Sequence, residues 1–270
     1  LLLGCSVGVA GTVLGFIFAF AVTRLSLPKW LCAAVSAVTL LPLISPPFTS
    51  SIALTLSLGP NGILLDFFGL GNFNFYGFWG TFISETLTFF PVAFMTLSTI
   101  LARIDPNLED AAYSLGASSF KVFRTVTLPL AAPGIANAFL LVFSCSLADF
   151  ATPQVLGGHS FPVLPTQAYL VITGMYDFKG GAALSFMLLI PAIIVYSLQR
   201  WWVGKKSYVT VSGKAGGRSS VKGPGPLLSS VIVATVAVVI AFILYLYAII
   251  LTGSLVKVWG VNNEITLENY

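Results

Sequence analysis

Two carboxylates lie in otherwise apolar stretches of this 270-residue chain, Glu85 and Asp149. A charge in hydrocarbon is costly, so an acid there either ties helices together or lines a path for a polar or charged cargo. Ser84, Thr86 and Thr88 stand near Glu85 and could supply such a tie. Asp149 falls near the end of its segment, where a position at headgroup level explains it equally well. A third constellation is polar and sits between two apolar spans: Leu108-Glu109-Asp110-Ala111-Ala112-Tyr113-Ser114-Leu115-Gly116, followed by Val126, Leu128 and Pro129. Its small residues would let another surface approach closely, which is chemistry of contact and not of bond breaking. No catalytic pattern accompanies it. The chain has no His-Glu-x-x-His helix and no phosphate-cradling glycine loop ending in Gly-Lys. His159 is the single histidine and cannot build a metal site by itself. Cys5, Cys32 and Cys145 are widely spaced in apolar segments and read as small core hydrophobes, not as ligands or a disulfide framework.

The elements that position these residues are set by composition. Hydrophobic residues make up 57% of the chain and charged ones 8%, against about 25% charged in an ordinary soluble domain. The chain therefore belongs in a bilayer, and its basic balance needs no nucleic acid to explain it. About 20 apolar residues cross a membrane as a helix. Six segments qualify: Leu1–Val22, Leu31–Leu56, Phe78–Ala102, Leu130–Ala151, Ala182–Trp202 and Leu227–Thr252. The expected fold class is all-α, a polytopic transmembrane helix bundle. Pro42, Pro46, Pro47, Pro91 and Pro191 interrupt the spans, and Pro46-Pro47 is expected to kink or end the second helix early.

Orientation follows the placement of lysine and arginine. Arg24, Lys29, Arg103, Lys121, Arg124, Arg200, Lys205, Lys206, Lys214, Arg218 and Lys222 fall in one set of alternate loops, leaving only Lys179 and Lys257 of the 13 basic residues for the other. The first set is cytosolic, with the Asp110–Pro129 loop. Gly59–Gly77, Thr152–Gly181 and Gly253–Tyr270 are then external. The segment 203–226, rich in Gly, Ser and Lys, reads as a flexible cytosolic linker, and its basic residues can also touch anionic membrane lipid. The chain begins at Leu1 inside an apolar span and ends at Tyr270 in a polar stretch, so it is expected to be an internal piece of a longer protein.

Within the loop, Asp105-Pro106 is a helix start, with an acid at the cap and proline at the first position. Leu108, Ala111, Ala112 and Leu115 follow at helical spacing and form one apolar face. Glu109 and Asp110 lie early in the helix, where its dipole favours acids. Gly116 ends it, and Ser118 or Ser119 can cap a second short helix bearing Phe120 and Phe123. Such a segment can fit a groove on a soluble partner or simply lie on the headgroups, and helical spacing alone does not choose between them.

The pattern Asp110-Ala111-Ala112-x3-Gly116-x9-Val126-x-Leu128-Pro129 resembles the EAA loop of binding-protein-dependent ABC importer permeases. It matches that loop's spacing throughout, with Asp for Glu and Val for Ile as departures. The stretch Leu147–Gly158 resembles one common in ferric-iron-type permeases, and Ser254–Gly260 resembles the outer segment after the first helix of a permease half. The resemblance implies a permease subunit in a bacterial plasma (inner) membrane that passes cargo from an external soluble substrate-binding protein to the cytosol. A cytosolic ABC ATPase dimer would drive it and hold the ATP, so the chain itself would need no cofactor. Glu109, Asp110, Ala111, Ala112, Leu115, Gly116, Leu128 and Pro129 would form the ATPase-coupling set, and Glu85 and Asp149 the possible cargo pathway. On the fused-halves pattern, residues 1–202 form a first half lacking its first helix, 203–226 the linker, and 227–270 the start of a second half.

The outer segment Thr152–Gly181 carries Gly157-Gly158, Tyr169, Tyr176, Asp177 and Lys179 and would face the binding protein. Ferric iron is the expected cargo. 2-Aminoethylphosphonate, a sulfate-like anion and a polyamine are the alternatives within the same machinery. An ion-gradient-driven secondary transporter is the competing class, although it offers no reason for the Asp110–Pro129 spacing.

Overall fold

The computed structural model describes residues 1–59, 62, 64, 74–158, 161–205, 225–260 and 262–268. His159, most of the 203–226 linker with Lys206, Lys214, Arg218 and Lys222, and much of the Gly59–Gly77 loop lie outside the described residues. The described chain is helical apart from one short hairpin. In order it runs α1 (Leu2–Arg24), α2 (Lys29–Ile44), α3 (Thr49–Leu58), α4 (Phe78–Arg103), α5 (Pro106–Ser114) and α6 (Ser119–Val122). A π-helical turn over Phe123–Thr127 leads into α7 (Leu128–Ala148), followed by α8 (Ala151–Leu156), α9 (Leu164–Thr173), α10 (Phe178–Lys205) and α11 (Pro226–Ser254). Strands β1 (Val256–Val258) and β2 (Asn262–Ile265) pair antiparallel after α11.

Five of these elements are long and apolar enough to cross a bilayer by themselves: α1, α4, the continuous Ser119–Ala148 helix, α10 and α11. The sixth expected span is broken. Helices α2 and α3 meet at a bend of 96°, and the break falls on Ser45-Pro46-Pro47-Phe48. Neither proline can donate a backbone N–H to the ladder, so the helix cannot run through them.

The centre of the bundle is α1 packed on α4 and α7. A Cβ placed on Gly15 of α1 would stand 2.6 Å from the Ala93 Cβ and 2.7 Å from the Phe94 backbone nitrogen of α4. Only glycine permits that approach, the usual route to close helix packing in a membrane. Phe18 and Phe90 meet edge to face at 5.2 Å between ring centres, and both are fully buried beside Leu97, Leu101 and Val142. Helix α11 is tied to the broken span by polar contacts. The Tyr247 hydroxyl lies 2.6 Å from Ser45 Oγ and that of Tyr245 2.9 Å from Ser57 Oγ. Trp259 Nε1 donates to the Leu56 carbonyl at 3.0 Å.

Three local features depart from the sequence expectation. The fourth span runs unbroken from Ser119 to Ala148, so the second short loop helix is the lower end of the span. The outer segment Thr152–Gly181 holds α8, α9 and the first turn of α10. The segment after α11 folds into the β1–β2 hairpin, which Lys257 and Glu264 bridge at 2.9 Å.

Candidate functional site: the coupling loop and the buried acids

The loop helix α5 forms as its caps dictate. The Asp105 carboxylate accepts the Asn107 N–H at 3.0 Å, with Pro106 in the first turn. At the far end the N–H groups of Gly116 and Ala117 donate to the carbonyls of Tyr113 and Ala112 at 2.9 and 3.1 Å. Closing those bonds takes Gly116 to φ +82°, the left-handed region where glycine carries no Cβ penalty. A Cβ there would meet no atom of the described residues within 4 Å, so there is open space for a side chain at this position. Ser118 caps the next helix by accepting the Lys121 N–H at 3.4 Å.

The faces of α5 divide sharply. Leu115 is 89% exposed and Leu108 50%. Ala111 and Gly116 are exposed, and Asp110 and Ala112 are half-buried. Asp110 and Tyr113 each make a further contact. Phe120 on α6 is exposed as well. Glu109 alone among the residues of α5 is buried. It turns under the helix, where its Oε1 accepts the Thr127 hydroxyl at 2.8 Å and lies 3.3 Å from Arg24 Nη2. Arg24 is the last residue of α1 and is buried itself. Its Nε and Nη2 make no hydrogen bond with the described residues, so charge and burial hold the pair, not a two-pronged fork. Phe16, Phe20, Phe123 and Ile232 wall an adjoining cavity of about 360 Å³ that the pair also lines. Apolar surroundings of this kind strengthen an ion pair already formed and penalise a lone charge.

Leu128 and Pro129 enter the span beside this junction, both exposed. Pro129 has no N–H to return to the preceding turn, and the ladder widens just before it: the Leu128 N–H reaches back to the Phe123 carbonyl, five residues away. The π turn thus has a cause in the Leu-Pro pair.

The two buried acids sit at the other end of the same bundle. Ser146 and Thr127 are 19 positions apart on the Ser119–Ala148 helix, about 28 Å at 1.5 Å per residue, close to the hydrocarbon thickness of a bilayer. Glu85 on α4 is wholly enclosed, and its Oε2 accepts the Ser146 hydroxyl of α7. Its Oε1 has no hydrogen-bond partner among the described residues. The neighbouring Ser84 meets Ser51 of α3 at 3.1 Å. Asp149 follows the last residue of α7 and caps α8, its Oδ1 accepting the N–H groups of Ala151 and Thr152 at 3.0 and 3.5 Å. Its Oδ2 is buried without a hydrogen bond among the described residues. Among the described residues no group of three or more His, Cys, Asp or Glu could hold a metal ion.

The structure brings the loop set to one end, with its apolar members outward and Glu109 inward, and draws Glu85 and Asp149 to the other. Arg24 and Thr127 are the contributors that sequence reasoning did not single out. A lone arginine closing an uncharged span was a usable sign, since a charge in that place needs an acid, but its partner was not specified.

Residues 11–207 match the family described as binding-protein-dependent transport system inner membrane component. A ferric transport system permease protein of Actinobacillus pleuropneumoniae is 38% identical over 98% of this chain and 39% of its own length. A Haemophilus influenzae relative, also named for ferric transport, is 38% identical over 98% of the chain and 42% of its own. A molybdenum transport system permease protein of Escherichia coli is 30% identical over 69% of the chain and 83% of its own. The chain thus spans about two fifths of the length of the two relatives named for ferric transport.

Proposed function

We propose that this chain, which belongs to the family of binding-protein-dependent transport system inner membrane components, is part of the permease of an ATP-driven importer for ferric iron. The observation that carries the reading is α5 and its C-terminal cap: a capped helix between two spans that leaves Leu108, Ala111, Leu115 and Gly116 exposed among the described residues. An apolar helix face of this size fits a groove on a soluble protein. The occupant is the cytosolic ABC ATPase dimer, which binds and hydrolyses the ATP, while this subunit carries no cofactor. A soluble substrate-binding protein delivers cargo to the opposite face, where α8, α9 and the Asp149 corner lie.

Iron is favoured over other cargoes by the extent of likeness. The relatives named for ferric transport align with 98% of the chain, the molybdenum relative with 69%. Molybdate or another oxyanion is the second reading, supported by that shorter match. The family match stops at residue 207, which supports the division into a first half at 1–202, a linker at 203–226 and the start of a second half at 227–270. Glu85 reaches cargo only in a state where α4 and α7 part, because its carboxylate is enclosed against Ser146.

Radiolabelled ferric-iron uptake is to be measured in a strain lacking the full-length gene, complemented with wild type or with Gly116→Asp. Aspartate tolerates left-handed backbone better than most residues, so this variant disturbs the chain little while putting a carboxylate on the docking face. Uptake restored by wild type alone supports both cargo and coupling. Normal iron uptake in the deletion strain, with molybdate uptake lost, overturns the iron assignment.

A further inference from the structure

We infer that Glu109 is a positioning residue that clamps the coupling helix to two spans at once, through Arg24 of α1 and Thr127 at the foot of α7. The inference rests on the permease reading above and deepens it.

A helix of nine residues is too short to hold its shape by propensity alone, and Glu109 is the one α5 residue that is buried. A push on Leu108 or Leu115 would roll or slide such a helix unless something transmits the load. Glu109 provides two attachments on one carboxylate oxygen: Thr127 at 2.8 Å and Arg24 at 3.3 Å. Each attachment leads into the bundle. Arg24 ends the helix whose Gly15 lies directly against the α4 backbone. Thr127 is followed without a break by α7, which carries Ser146 and its bond to Glu85 at the far end. Displacement of α5 therefore draws α1 and α7 together, and α4 through its packing on α1. Asp110, the neighbouring acid, is only half-buried and makes a contact of its own, so Glu109 is the acid of this pair that is enclosed in the bundle.

A clamp makes a different prediction from a mere brace. The full-length transporter, reconstituted with its ATPase and binding protein, is assayed for radiolabelled ferric iron moved per ATP hydrolysed. Glu109→Gln keeps the side-chain shape and can still accept the Thr127 proton, but it loses the charge that holds Arg24. The ratio is expected to fall by about tenfold, within the range by which residues along a coupling path act. Thr127→Val keeps the ion pair and removes only the hydroxyl donor; it serves where Glu109→Gln fails to assemble, with a smaller fall of about threefold expected. A residue that only braces the fold would lower the yield of assembled transporter and leave the ratio of the survivors at the wild-type value. That result in both variants overturns the inference. Wild-type transporter that moves cargo without consuming ATP would instead overturn the permease reading, so the two failures are separable.

Discussion

Replacing Leu115 by alanine should leave the stability of the chain unchanged and weaken its hold on the ATPase. Leu115 is 89% exposed in the folded chain, so among the described residues little packs on it that the change would uncover, and surface substitutions of this kind fall within about 0.5 kcal/mol. Seated in a partner's cleft, the same side chain would surrender three carbon groups to alanine. At about 0.8 kcal/mol each that is ~2.4 kcal/mol, or roughly a fiftyfold rise in Kd at about 1.4 kcal/mol per decade. Leu101→Ala is the matched control. Leu101 is fully buried in the α1–α4 core, so the identical chemical change should leave a cavity, lower the melting temperature and spare the affinity of whatever remains folded. Affinity is read by titrating labelled ATPase onto the detergent-solubilised full-length protein, and stability by thermal unfolding of the same preparation. Early melting of Leu115→Ala, or an affinity for the ATPase equal to that of wild type, would refute a docking role for this side chain.

Other perturbations test separate parts of the account. Gly116→Ala meets no neighbour within 4 Å but forces an L-residue to φ +82°, so it should cost about 1–2 kcal/mol locally; hydrogen exchange should rise in α5 and stay unchanged in α1. Gly15→Leu inserts a side chain where even a Cβ stands 2.6 Å from Ala93, and should part α1 from α4 and cut the yield of monodisperse protein severely. Ser146→Ala removes the donor to Glu85 and should destabilise by about 1–3 kcal/mol, whereas Ser146→Ala with Glu85→Leu should recover much of that loss. A melting temperature unmoved by Ser146→Ala would mean that the carboxylate is held elsewhere.

The loop was legible residue by residue because its signals are local. Asp105-Pro106 caps α5, Gly116 closes it and Ser118 opens the next helix, each from chemistry within four positions. Pro46-Pro47 marked the broken span for the same reason. Apolar spans followed from length and composition, with ends displaced by a few residues. What could not be read was pairing at a distance. Glu109 looked like a first-turn acid placed for the helix dipole, and Arg24 like one more cytosolic charge, yet the fold joins them in a buried contact. Likewise Glu85 had Ser84 and the neighbouring threonines at hand, but its donor is Ser146 on another helix. The π turn escaped because its cause, Pro129, lies after it. The hairpin after α11 is too short for alternation to stand out, though Gly260 at φ +74° marks the turn.

The most direct test of the central claim is a cysteine cross-link. In full-length protein with Cys5, Cys32 and Cys145 replaced, Leu115→Cys is to be compared with Met175→Cys, another well-exposed position, in the α9–α10 turn. With the cognate ATPase and a short thiol-reactive linker, Leu115→Cys should join the ATPase and Met175→Cys should not. A cross-link at Met175, or none at Leu115 in an assembled complex, would contradict the docking of α5 on the ATPase.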